Sequence, residues 1–100
     1  MGAKATLPKA IAECAERRTW FPRLAAEEVL TWCEENAQKF LGMDVAQKNS
    51  DGTWTLLIDP ILDLSDQTDN FEAIRRGRLF LAENDGEGRM FDPVWKGRST

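Results

Sequence analysis

Asp59, Asp63, Asp66, Asp69 and Glu72 recur every three or four residues, inside a stretch from Lys48 to Arg75 that has no other basic residue. Carboxylates so spaced could do three kinds of chemistry. A pair set in a deep cleft can cleave glycosidic bonds when burial keeps one acid protonated, but a chain of 100 residues has little room for such a cleft. A cluster could hold calcium, yet the alternating Asp-x-Asp-x-Asp-Gly order of an EF-hand loop is absent. The third use is electrostatic: an acidic strip steers and docks a basic protein surface. Against it stands the plainer account that charge runs are solvated faces that keep a protein soluble.

The chain has no histidine. Ser-His and Cys-His nucleophile pairs, histidine-containing zinc sites and the commonest neutral-pH base are thereby removed. Two cysteines, Cys14 and Cys33, cannot make an all-cysteine zinc site. Gly86-Glu87-Gly88 is followed by neither a third glycine nor Gly-Lys-Ser/Thr, so it reads as a turn and not a phosphate loop. No catalytic, metal or cofactor residue is nominated, and no cofactor is expected.

Four tryptophans and no tyrosine give a further clue. Trp54 alternates with Leu56 and Ile58 and is expected in the core. Trp20, in a Thr19-Trp20-Phe21-Pro22 hinge, and Trp95, near the end, are candidate interface anchors, since tryptophan is enriched at binding hot spots. Burial under a neighbouring element is the plain alternative for each.

The elements that must position these residues follow from periodicity. Thr6-Leu7-Pro8 resembles a helix start, and Leu7, Ile11, Cys14 and Ala15 share one face, which predicts a helix over 7–18. Ala26, Val29, Leu30, Cys33, Ala37, Phe40 and Leu41 trace a stripe that ends at Gly42, which predicts a second helix over 22–41. In such a helical hairpin Cys33 lies about 9 Å beyond the position facing Cys14, too far for a disulfide, so two buried reduced thiols are expected. From Met43 the period becomes 2, and Asn49-Ser50-Asp51-Gly52 supplies a turn between strands 43–48 and 53–59. Asp69 and Glu72 resemble a capping box for a short helix over 70–76. Leu79–Glu83 and Arg89–Phe91 read as a second hairpin, although a continued helix fits the spacing almost as well.

These elements describe one α+β domain over 1–100, with order ααββαββ: a helical hairpin packed on antiparallel β-hairpins, with 1–6 and 96–100 frayed. No apolar run is long enough to span a membrane. Met1 to Thr6 fits a loose myristoylation pattern but no secretory signal, and cysteine usage suits a reducing cytoplasm. A net charge of −4 argues against nucleic acid despite Arg75, Arg76 and Arg78, and a second acidic set is Glu27, Glu28, Glu34 and Glu35. The reading that follows is a non-catalytic protein, monomer or homodimer, that inhibits or regulates a basic-surfaced protein through its acidic side chains. Toxin-neutralising immunity proteins and phage anti-defence proteins share this physical type, an argument from class alone. The alternatives are an accessory subunit that works by self-association or within an assembly, and a small paired-carboxylate enzyme.

Overall fold

A computed structural model describes residues 5–97 of the chain. The elements are α1 (Lys9–Ala12), α2 (Arg23–Glu35), β1 (Gln38–Lys48), β2 (Trp54–Asp63), α3 (Asn70–Glu83) and β3 (Arg89–Gly97). The class is α+β, with three antiparallel strands in the order β2-β1-β3. Phe40, Met43 and Val45 of β1 and Phe91 of β3 meet Val29, Leu30 and Cys33 of α2 and Ile74 and Leu81 of α3 in one core. The molecule measures 46 × 27 × 17 Å, and the last dimension admits one sheet and one helical layer. Among the described residues no helix layers the other face of the sheet, but part of it is covered: Ala46 and Met90 are 2% and 4% exposed there, and Trp20 and Arg17 lie against Trp54.

Several expectations are corrected. The first helix stops at Ala12, and no helical hairpin forms; the chain instead turns at Arg17 (φ 47°) and Arg18 (φ 73°), both in the left-handed region. They close a tight reversal in which Glu16 and Trp20 exchange backbone hydrogen bonds of 2.7 and 3.0 Å. Cys14 is exposed and Cys33 is buried, and the two form no disulfide.

α2 ends six residues before the expected Leu41. Asn36 donates its side-chain amide to the Trp32 carbonyl at 2.9 Å, and Ala37 at φ 53° takes the left-handed position that terminates a helix. Phe40 and Leu41 then belong to β1. Gly42 is no helix cap: at φ 140° it lies under β2, where an added Cβ would meet the Leu62 carbonyl oxygen at 2.1 Å. Glycine is the residue that permits this approach of two backbones.

In β2 the sides are reversed. Leu57 and Leu62 pack against the core, whereas Leu56 and Ile58 are 63% and 82% exposed and Trp54 is half-buried. Thr53, Thr55 and Asp59 suggested the opposite parity, but strand facing is set by what the helices cover. The proposed second hairpin does not form either. α3 continues through Leu79–Glu83, burying Phe80 and Leu81, and Arg89–Gly97 is a single strand paired to β1. The chain thus has one hairpin and one added strand in place of two hairpins. Lys96 and Gly97, expected to fray, pair with Lys39 and Gln38. Ala5 is likewise tied, donating to Gln38 Oε1 at 3.0 Å. The myristoylation pattern falls mostly, and the end of the expected C-terminal tail wholly, outside the described residues.

Gly77 fixes how closely α3 sits on β1. A Cβ there would meet Phe40 Cε2 at 2.7 Å and Leu30 Cδ1 at 3.0 Å, and both side chains are fully buried. Replacing a mid-helix glycine by alanine ordinarily stabilises by about 1 kcal/mol. Here overpacking reverses the sign, and Gly77→Ala is expected to lower stability by about 1–3 kcal/mol in urea titration. A stabilised variant would show that the Phe40 ring yields freely.

Candidate functional site

The five acidic residues of the central stretch run from β2 through the 64–69 turn into α3, and most have local work. Asp69 is the N-cap of α3, its Oδ1 accepting from the Phe71 and Glu72 amides at 3.0 and 3.5 Å. Asp63 accepts from the Ser65 amide at 3.0 Å, which holds its pKa below the usual value. Glu72 is embraced by Arg75, with Nε to Oε2 at 2.8 Å, and by Arg76 at 3.4 Å. Arg76 also borders the shallow depression formed by Asp63 and Asp66. Only Asp59 and Asp66 of the five make no hydrogen bond or ion pair among the described residues. Positive charge therefore interrupts the strip where α3 begins. Among the described residues, no three Asp, Glu or Cys side chains converge to hold a metal ion, and no helix is long and apolar enough to cross a membrane.

The two nominated tryptophans are engaged within the chain. Trp95 meets Trp32 edge to face at 5.6 Å and donates Nε1 to the Ala5 carbonyl at 3.3 Å, which pins the N-terminal segment. Trp20 lies 6.2 Å from Trp54, whose ring also carries the Arg17 guanidinium at 4.7 Å. With Glu16 bonded to Lys48 at 2.7 Å, this group holds the 16–20 reversal near the β1–β2 turn.

A different acidic surface is continuous. Between the α1 segment and α2 lies a groove of about 610 Å³, lined by Pro8, Ile11, Leu24, Glu27, Glu28, Thr31, Trp32 and Glu35. Its floor is apolar, with Leu24 76% exposed. Its rim is acidic and none of the lining residues is basic. Glu27 is 3.8 Å from Arg23, which is bonded more closely to Asp85 at 2.9 Å. Glu28 and Glu35 make no ion pair among the described residues. Searches against protein-family models, curated proteins and solved structures returned no match. The site is therefore read from its own chemistry.

Of the acidic set Glu27, Glu28, Glu34 and Glu35, three line the groove, which periodicity does not reveal, and Glu34 lies instead in a depression bordered by Arg23, Arg75 and Arg78. The groove's signal was Leu24: an apolar residue off the buried stripe, three and four positions before two glutamates and so on their face of the helix.

Glu72 carries a pH signature. Hydrogen bonds from Arg75, aided by the charges of Arg75 and Arg76, hold its carboxyl at about 2 against an ordinary 4.5. A carboxyl depressed in the folded state contributes stability above its unfolded pKa, and that contribution is lost as pH falls through the folded value. Glu72→Gln is expected to flatten the decline of Tm between about pH 4.5 and about pH 2. An unchanged slope in that window would show the two arginines hold nothing that folding depends on.

Proposed function

We propose that this is a non-catalytic binding protein that takes a basic, amphipathic segment of a protein partner into the α1–α2 groove. One observation carries the reading: an apolar floor around Leu24 with Glu27, Glu28 and Glu35 on its rim and no basic side chain in the lining. An apolar floor favours a helix or extended segment presenting aliphatic anchors. The glutamates favour lysine or arginine beside those anchors, and uncompensated rim charge raises the association rate more than the affinity. Action on the partner is by occupancy: covering a basic surface denies it to that partner's other ligands. Asp59 and Asp66 extend the negative field without lining the groove, so their part is long-range steering.

A helical peptide with leucines on one face and lysines flanking them is the probe, with affinity read by calorimetry. Leu24→Glu is expected to weaken binding at least about tenfold, and so is Glu28→Arg combined with Glu35→Arg. Both sites are exposed, so far-UV circular dichroism should be unchanged. Asp63→Lys with Asp66→Lys alters net charge equally but lies outside the groove, and a much smaller loss is expected. Equal losses from the two charge-reversed pairs would reduce the groove to one part of a general negative surface and overturn the reading.

A further inference from the structure

β2 is an edge strand, and among the described residues β1 is its only extensive neighbour. The turn before it determines which of its backbone groups are free. Asn49 N–H donates to the Thr53 carbonyl at 2.7 Å, and Gly52 N–H to the Asn49 carbonyl at 3.0 Å, with Gly52 at φ 88°. This is a type I turn closed by a glycine bulge. Antiparallel pairs alternate between bonded and non-bonded, so with Gln47 opposite Thr55 and Val45 opposite Leu57 those pairs exchange the bonds. The N–H and C=O groups of Trp54, Leu56 and Ile58 therefore point out of the sheet. By strand alternation their side chains share the face opposite the core, where Trp54 is half-buried beside Trp20 and Arg17 while Leu56 and Ile58 are 63% and 82% exposed.

Natural edge strands carry lysine, proline or inward charge against unwanted pairing. From Thr53 to Ile58 there is no charge and no proline, and the first such device is Asp59-Pro60. An uncharged, apolar edge with free donors and acceptors fits one occupant best: a strand of the same character.

We propose that β2 pairs antiparallel with β2 of a second copy of the chain, about a two-fold axis through Leu56, joining two three-stranded sheets into one of six strands. In that register Trp54 faces Ile58 of the second copy and Leu56 faces Leu56, so every outward group of the three residues is used. Asp59 falls opposite Thr53, and no carboxylate faces another. Sliding the axis to Leu57 would set Trp54 against Pro60, which has no N–H to give. Stacking the faces opposite the core instead would bury Asp44 and Asp92, which are directly opposite each other in the β1–β3 register, from both copies. Edge pairing leaves them in water. The edge buries less than the roughly 800 Å² per partner of a standard interface, so the dimer is concentration-dependent. This inference goes beyond the groove and does not rest on it.

Sedimentation of the full chain from about 1 μM to about 300 μM tests the pairing. The expected result is a monomer–dimer equilibrium that added salt leaves unchanged. Amide exchange at Trp54, Leu56 and Ile58 should slow as concentration rises, while Thr55 and Leu57, already bonded to β1, stay constant. Ile58→Lys, at an exposed position that the fold tolerates, should raise the dissociation constant at least about tenfold. Leu56→Pro removes an outward N–H and should abolish the dimer. A monomer across the whole range overturns the proposal, and so does a dimer indifferent to Ile58→Lys or one whose slowed amides lie elsewhere. A monomer whose 54, 56 and 58 amides slow only when a foreign peptide is added overturns it as well, assigning the edge to that peptide.

Discussion

β1 is the central strand, with β2 along one edge and β3 along the other, and it is longer than the hairpin that β2 makes with it. Its first residues would present bare backbone where β2 has ended, and a buried unpaired amide is costly. Asn70, at the start of α3, meets that need. Its side chain donates to the Gln38 carbonyl at 2.8 Å and accepts from the Phe40 amide at 2.9 Å, and the Leu41 carbonyl accepts from Leu64 N–H at 2.8 Å. One amide group stands in for a missing strand. The same contact sets where α3 begins, and the Phe40 ring against Gly77 sets how close it lies. With α3 so placed and α2 beside it, the core closes on one side of the sheet, and the other side has only the partial cover that the 16–20 reversal gives Trp54.

That sidedness explains why the negative charges serve such different ends. Residues 63 to 72 must turn the chain from β2 back over the sheet and start a helix, and carboxylates are suited to capping turns and helix N-termini. Asp63, Asp69 and Glu72 are spent in this way. The glutamates of α2 lie on the outer face of a helix whose inner face is fully occupied by Ala26, Val29, Leu30 and Cys33. Among the described residues their only ion pair is that of Glu27 with Arg23. Surplus charge beside exposed leucine is the combination that separates a groove from an ordinary solvated face.

What the sequence disclosed and what it hid follow the same physics. Stretches dominated by local chemistry were legible: the α2 stripe, the turn at Asn49–Gly52 and the Asp69 cap. Stretches decided by tertiary cover were not. Ala37, Phe40 and Leu41 continue a helical period into what is a strand, and only the left-handed Ala37 breaks it, at a residue type that gives no warning. In β2, apolar residues occupy both faces, so periodicity could not say which one the helices take. Phe80 and Leu81 fit a strand alone, but as part of a helix they fill the space between α2 and Phe91, with the Phe80 and Phe91 rings edge to face at 6.5 Å. For the acids, sequence spacing reported proximity along the chain but not which arginine would lie beside them.

The groove and the free edge lie on different parts of this architecture, and their chemistries differ in kind. α2 packs on α3, β3 and β1, and neither α1 nor α2 has an extensive contact with β2, which separates the α1–α2 groove from the β2 edge. Pairing at β2 would leave both grooves of a dimer open, one toward each end of the joined sheet. Two weak sites on one rigid particle gain from each other when the partner is itself repeated or assembled, because the second contact forms at a high effective concentration. Such a gain requires no strong single site. It would vary with salt through the glutamates of the groove and with protein concentration through the uncharged edge, which makes the two contributions separable by physical means alone.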